Sequence, residues 1–280
     1  LWIPANGRTR RIIGGIIARY QEAFDIVIYA YAILGNHYHM LIQAPKQNTD
    51  EFCENVNREI ARRVNWIHGR RGPLWSRRYT DQAVASDEDL LEAFLYVVTN
   101  SANHGLVKNP KDWPGLNCYQ HVIDQKDREF FFTHYSKPVK RRSRHYIKIS
   151  PLPGFKDLSK KQRARRLSRL LQERKSYIVQ QRQGRFLTPE ILARQIAGSR
   201  PKSSKFSRRA PFYTKNKELV RELRTEWAEA RVRYTQSSYR YRLGDGNVIF
   251  PDFTYKPPTH RIPRAKKILN EDGDDFLPAA

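Results

Sequence analysis

Hydrophobic and polar positions along the first part of the chain alternate between two periods. In "RRIIGGIIARYQEAF" Ile12, Ile13, Ile16, Ile17, Tyr20 and Phe24 recur at the spacing that gathers apolar side chains on one face of a helix. "DIVIYAYAIL" and "HYHMLIQA" switch to short runs of β-branched and aromatic residues. Gly35-Asn36 lies between them, so the pair predicts a tight β-hairpin. "NTDEFCENVNREIARRVNWIHG" returns to the helical period. It has a Thr49 or Asp50 cap, Phe52, Val56, Ile60 and Val64 at four-residue steps, and Gly69 as its stop. "GPLWSRRYTDQAVAS" predicts a loop leading into a short strand. "SDEDLLEAFLYVVTN" predicts another helix, capped by Ser86, with Asp87, Glu88 and Asp89 in the turn where negative charge complements the helix dipole and Gly105 beyond its end. The order helix, strand, strand, helix, strand, helix predicts an α/β (α+β) fold, an antiparallel sheet with helices on one face.

Two polar side chains break the apolar character of the hairpin's second strand. In "LGNHYHMLIQ" the period of two puts His37 and His39 on one face and Tyr38 and Met40 on the other. Taken alone, such a pair is more often two half-buried, hydrogen-bonded histidines than a metal grip. What changes the balance is the later helix, which carries Tyr96 and Asn100 one turn apart. A tyrosine nucleophile with three candidate ligands suits phosphoryl transfer. The phenolate can attack a backbone phosphate, and a divalent ion held by His37, His39 and Asn100 can polarise that phosphate.

Composition narrows the partners. The 280 residues carry 52 Lys+Arg against 28 Asp+Glu, a net charge of +24, which calls for a polyanion such as nucleic acid. Residues 1–130 hold only 16 basic and 15 acidic side chains, so nearly all of the excess lies beyond them. This asymmetry predicts a near-neutral catalytic domain over 1–130, a basic linker over 131–155 and a basic, mainly helical DNA-binding extension over 156–280 with a Pro-rich tail. The two cysteines, Cys53 and Cys118, have no metal-ribbon or disulfide spacing and are expected as small buried hydrophobes. No apolar run approaches the length needed to span a bilayer, and a cytoplasmic, nucleoid-associated protein without membrane partners is expected. The chain starts at Leu1 rather than Met, so a preceding segment with the fold's first strand is expected to be missing.

Three stretches in order resemble the single-tyrosine HUH transposases (His, a hydrophobic residue, His), and among them the REP-associated tyrosine transposases of the IS200-like family. "LGNHYHMLIQ" is similar to that family's histidine strand and "GPLWSRRYTDQAV" to its loop between helix and strand. "LYVVTNSANHGLVKNPKDWPG" is similar to its nucleophile helix with the Gly-Leu-Val and Asp-Trp-Pro beyond it. Together they span roughly residues 10 to 116. The resemblance implies an HUH, ferredoxin-like (RRM-like) catalytic domain. It implies Tyr96 as nucleophile, His37 and His39 as the metal pair, Asn100 as the third ligand and magnesium or manganese as the ion. The implied reaction cleaves single-stranded DNA beside a hairpin through a 5′-phosphotyrosine link and then rejoins strands. "NSANHGLV" departs from the commoner Asn-Pro-Val-Arg-x-Gly-Leu-Val form, and no catalytic residue is lost by that.

Other aromatic, histidine and arginine side chains carry weaker signals. Tyr38 is expected to pack away from the metal, and Tyr79 to pack or to touch phosphate. Trp75 and Trp113 are expected as core anchors, and His68, His104 and His121 as surface or structural residues. Arg77 and Arg78 are candidate phosphate contacts, as are Arg141, Arg142, Arg165, Arg166, Arg208 and Arg209 in the basic half. There, "KDLSKKQRARRLSRLLQERKSYIVQQRQGR" and "TKNKELVRELRTEWAEARVRYTQSSYRYR" predict two helices, the first with Leu167, Leu170 and Leu171 on one side. Basic residues interleaved with Tyr and Phe suit unpaired strands, because charge follows phosphate while rings stack on bases. Two rival functions stand beside this one: a hairpin-binding protein that does not cleave, and a hydrolytic metallonuclease in which Tyr96 is structural. The sequence leaves open whether Tyr96 works with its own histidines or with those of a partner in a homodimer.

Overall fold

The computed structural model describes residues 3–134, 141–188, 190–191, 211–252 and 254–257. The elements are α1 (Gly7–Phe24), β1 (Val27–Ile33), β2 (Tyr38–Gln43), α2 (Thr49–Ile67), β3 (Ala83–Val84) and α3 (Asp87–Val98). After them come α4 (Asn100–Asn103), α5 (Tyr119–Asp124), β4 (Arg128–His134), β5 (Arg141–Ile147), α6 (Lys160–Gln181), β6 (Phe212–Tyr213) and α7 (Lys217–Arg242). The first six follow the predicted order. The mixed α/β character holds, but the strands form three two-stranded sheets: β1 with β2 and β4 with β5, both antiparallel, and β3 with β6, parallel.

β1 lies at the centre. Ile28 to Ile33 are all buried, as expected of a strand covered on both faces. One edge pairs with β2. The other is held by scattered bonds: Cys118 and Ser150 donate their backbone N–H to the carbonyls of Tyr31 and Ile28, at 3.0 and 2.9 Å, and Ile33 donates to Leu116 at 2.8 Å. The Trp113 indole donates to the Ile33 carbonyl at 2.9 Å, so this tryptophan is a buried anchor as expected. Cys118 is fully buried, accepts from the Tyr31 amide, and burial pushes its thiol up to about 12. Cys53 is buried with its thiol likewise raised, so neither cysteine is poised for chemistry.

The basic stretch expected to be a linker is structured where it is described. β4 and β5 pair from Arg128↔Ile147 to His134↔Arg141 and pack on α1. Gly14 and Gly15 permit this approach. A Cβ at Gly14 would lie 2.2 Å from the Phe130 ring, and one at Gly15 would lie 2.3 Å from the Phe131 carbonyl oxygen. Gln21 of α1 fastens the end of the hairpin, donating to the Lys148 carbonyl at 2.8 Å and accepting from its N–H at 3.0 Å. The inward side of the hairpin brings Phe132 and Ile147 into the core. The outward side keeps Arg142 and Arg144 exposed, and this is why charge content alone suggests a linker.

Both helices expected in the basic half form. α6 starts with a capping box from Ser159 and Gln162. It buries Leu167 and Leu171 in the same core as α1 and β1, with Leu170 packed beside them. Arg174 of α6 pairs with Glu92 of α3 at 2.6 Å, and Lys215, just past β6, meets Glu92 from the other side at 2.7 Å. Most of the linker between the helices, with Arg208 and Arg209, lies outside the described residues, as does most of the Pro-rich tail. No helix among the described residues is long and apolar enough to cross a membrane.

Two consequences can be measured. Leu171→Ala removes a fully buried side chain and should cost about 2–5 kcal/mol in urea unfolding. His121 is buried against Tyr31, its Nδ1 at 3.3 Å from the hydroxyl, and burial, with Arg128 nearby, pushes its imidazole down to about 4. The unfolded chain therefore takes up this proton near pH 6.5, before the folded chain does. Stability is lost as pH falls from about 6.5 to about 4, by roughly 2–3 kcal/mol from this group. His121→Gln should lose that much less between pH 7 and pH 4.5. An equal loss in both proteins would assign the acid sensitivity to other groups.

Candidate functional site

The register of β2 on β1 sets the histidines in place. Ile33 pairs with Tyr38 and Ala32 with His39, which puts His37 just before the strand and His39 within it. Their rings stand edge to face, 5.0 Å between centroids, as the shared-face reading expects. Tyr38 points away and packs edge-on against Trp75 at 5.6 Å, and the Trp75 indole donates to the Asn57 carbonyl at 2.9 Å. His37 Nδ1 lies 2.6 Å from Asn36 Oδ1. An amide oxygen only accepts, so this contact is made by the tautomer protonated at Nδ1. That is the outer-shell arrangement found on metal-binding histidines.

The facing wall is the end of α3 and the short helix after it. The predicted single helix is broken at Thr99, whose hydroxyl donates back to the Leu95 carbonyl at 2.7 Å and accepts from Asn103, a bonding pattern that bends helices. Four-residue hydrogen bonding still runs through the break, from Thr99 to Leu95, Asn103 to Thr99 and His104 to Asn100. Tyr96, Asn100 and His104 therefore succeed one another at single turns. The Tyr96 ring, 37 % exposed, stands 5.4 Å from that of His39.

His104 is the residue that sequence reasoning set aside. It is exposed, yet its ring lies 5.4 Å from that of His37, and one ligand atom from each of His37, His39 and His104 falls within 4.8 Å of the others. Nitrogens on one ion at about 2.1 Å sit roughly 3–3.5 Å apart, so small side-chain rotations close the difference. A position eight residues beyond Tyr96, two turns along the same face, was the available signal.

Asn100 is fully buried, and neither its amide nitrogen nor its amide oxygen has a hydrogen-bond partner among the described residues. A buried, unsatisfied amide costs about 1–3 kcal/mol and calls for a reason. Three histidines with ligand atoms this close make a donor set that fits a divalent ion, and Asn100 lies one turn from both Tyr96 and His104. Among the arginines, Arg77, Arg78, Arg141, Arg142, Arg165 and Arg166 are all exposed. Arg78 lies over the rings of Tyr79 and Tyr255, and Arg166 over Phe155. Tyr79 is half-buried against the core. His68 is half-buried at the end of α2.

Comparison with known proteins finds similarity over the part of the chain that carries most of these residues. Residues 5–97 match the family described as transposase IS200-like, a span that includes His37, His39 and Tyr96. A protein of Haemophilus influenzae named as a REP-associated tyrosine transposase is 27 % identical over 139 residues, covering 43 % of this chain and 78 % of that protein. A REP-associated tyrosine transposase of Escherichia coli is 29 % identical over 95 residues, covering 34 % of this chain and 56 % of that one. No solved structure matches the chain. Over residues 5–97 the chain is thus similar to the IS200-like transposase family, and REP-associated tyrosine transposases are among the proteins it resembles.

Proposed function

We propose that the chain is a metal-dependent tyrosine transposase that nicks and rejoins single-stranded DNA beside hairpins, within an HUH-type catalytic domain. The observation that carries this reading is the Tyr96 ring set against His39 in the same chain, with His37 alongside. This supports an active site assembled from one chain's own residues. The Tyr96 oxygen attacks phosphorus and the bond from phosphorus to the 3′-oxygen breaks. The 5′ end becomes joined to the tyrosine, and the phenolic proton ends, in net, on the released 3′-hydroxyl. Reversal by another 3′-hydroxyl rejoins a strand. His37, His39 and Asn100 would hold the magnesium or manganese ion. When bound, it supplies Lewis-acid polarisation of the phosphate's non-bridging oxygens. Imidazole donors suit manganese better than magnesium, which prefers an oxygen shell.

The DNA partner is supported by the exposed arginines and by one face of the β4–β5 hairpin. There Phe131 and Tyr146, 48 % and 40 % exposed, stand among Arg142 and Arg144. Rings for unpaired bases beside cations for phosphate match single-stranded nucleic acid better than a uniform duplex. Arg141, Arg165, Arg166, Arg77 and Arg78 would extend the phosphate track.

The full chain, incubated with manganese and hairpin oligonucleotides labelled 3′ of the cleavage site, should give a covalent adduct on denaturing gels. The adduct should disappear with chelator and with Tyr96→Phe. Cleavage without adduct, unchanged in that variant, would establish hydrolysis instead, and tight binding with neither product would favour a hairpin-binding protein. Asn100→Leu supplies a second test. In chelator it should raise stability by about 1–2 kcal/mol, because an orphaned amide is replaced by an apolar side chain of similar size, while manganese binding weakens. A destabilised variant with unchanged ion affinity would make Asn100 a structural residue.

A further inference from the structure

His104 sits on an exposed turn after a helix of four residues, a poor support for a metal ligand unless something else holds it. The C-terminal half does. Arg182, which caps α6, donates from Nε to the Asn103 carbonyl at 2.9 Å and from Nη2 to the same oxygen. The Leu187 N–H donates to the Gly105 carbonyl at 2.7 Å. The carbonyls on both sides of His104 are thus fixed by one short segment of the basic half. Gly105 makes the clamp possible. Its φ of 69° lies in the left-handed region, and a Cβ there would fall 2.3 Å from Arg182 Nη1. The clamp's base is firm, since Leu171 and Ile178 of α6 are buried and Arg174 is paired with Glu92.

We propose that His104 is an additional imidazole ligand to the divalent ion, and that Arg182 is a positioning residue that holds it against His37. The affinity of the catalytic ion is then set by the docking of the C-terminal half. The proposal rests on the metal site formed by His37, His39 and Asn100. It adds a ligand and a support that the resemblance does not supply, because "NSANHGLV" is where this chain departs from the commoner pattern. Outer-shell partners of metal ligands are worth about 10–100-fold in affinity, and a cation bonded to the last carbonyls of a helix is a stable termination.

The test is manganese titrated into the full-length chain without DNA. Free ion is counted by electron paramagnetic resonance, and bound imidazoles are counted by its pulsed form. The wild type should show three imidazoles, and His104→Ala should show two with affinity about 10–100-fold lower. Arg182→Gln should weaken binding by a similar factor, Arg182→Lys should recover part of it, and the double variant should bind no worse than His104→Ala alone. Leu187→Pro, which removes the amide proton given to Gly105, should weaken binding in the same direction and covers the case in which Arg182→Gln does not fold. Wild-type affinity in folded Arg182→Gln and Leu187→Pro, or fully additive losses in the double variant, would overturn the positioning role. Wild-type affinity and imidazole count in His104→Ala would overturn the ligand. Failure of the metal-site reading looks different: no manganese bound by the wild type, or affinity untouched by His37→Ala.

Discussion

The pairing of β2 with β1 is the constraint on which the site depends. Side chains alternate along a strand, so a slip of one residue would turn His39 from the side facing Tyr96 to the side occupied by Tyr38 and Trp75. β1 cannot slip, because it is buried almost throughout and tied on its far edge by Leu116, Cys118, Ser150 and the Trp113 indole. β2 inherits that rigidity through its ladder, and Tyr38 adds an anchor by packing on Trp75. The histidines thus stand at and just before the start of a strand laddered to a buried one, where a donor set can be held to the tolerance that chemistry needs.

The facing wall is built on a different balance. Tyr96 and His104 are exposed, while Asn100 between them is buried with its amide unsatisfied among the described residues, so the turn that carries the proposed chemistry is locally unfavourable. Its surroundings offset this. Phe94, Leu95, Val97 and Val98 are buried in the core on the other sides of α3, and Thr99 bends the chain so that the helical bonding can continue into α4. Polar groups left without partners inside a well-packed protein tend to mark function, and this is a place where the local rules of packing fail in this chain.

The elements with strong periodicity were legible in the sequence: α1, α2, α3, α6 and α7, and the hairpin around Gly35-Asn36. So were the placement of His37 and His39 on one face and the anchoring role of Trp113. What escaped was set by partners far away in the chain. The β4–β5 hairpin read as a linker because its outward side is arginine-rich, and only the Gly14-Gly15 notch in α1 explains how it docks. Two-residue β6 has no pattern of its own, and exists because β3 offers an edge and Lys215 can reach Asp89 and Glu92. His104 lies two turns beyond Tyr96 and has no partner at ligand spacing in the sequence. Its relevance appears only when β2 and α4 are seen to face each other.

The acidic first turn of α3 joins these threads. Asp87, Glu88 and Asp89 complement the helix dipole, a purely local role. Asp89, buried, also accepts the Lys215 N–H at 3.0 Å, and Glu92, less than one turn on, takes both Lys215 and Arg174. The basic half is therefore fastened to the near-neutral half by the same helix that carries Tyr96 at its other end. Because Glu92 and Arg174 are partly shielded from solvent, their pair resists screening better than a surface pair does. Charge asymmetry thus has two uses in this chain. Arg174 and Lys215 are committed to docking on α3, while Arg77, Arg78, Arg141, Arg142, Arg165 and Arg166 stay exposed, so holding the halves together does not draw on the arginines proposed to meet DNA.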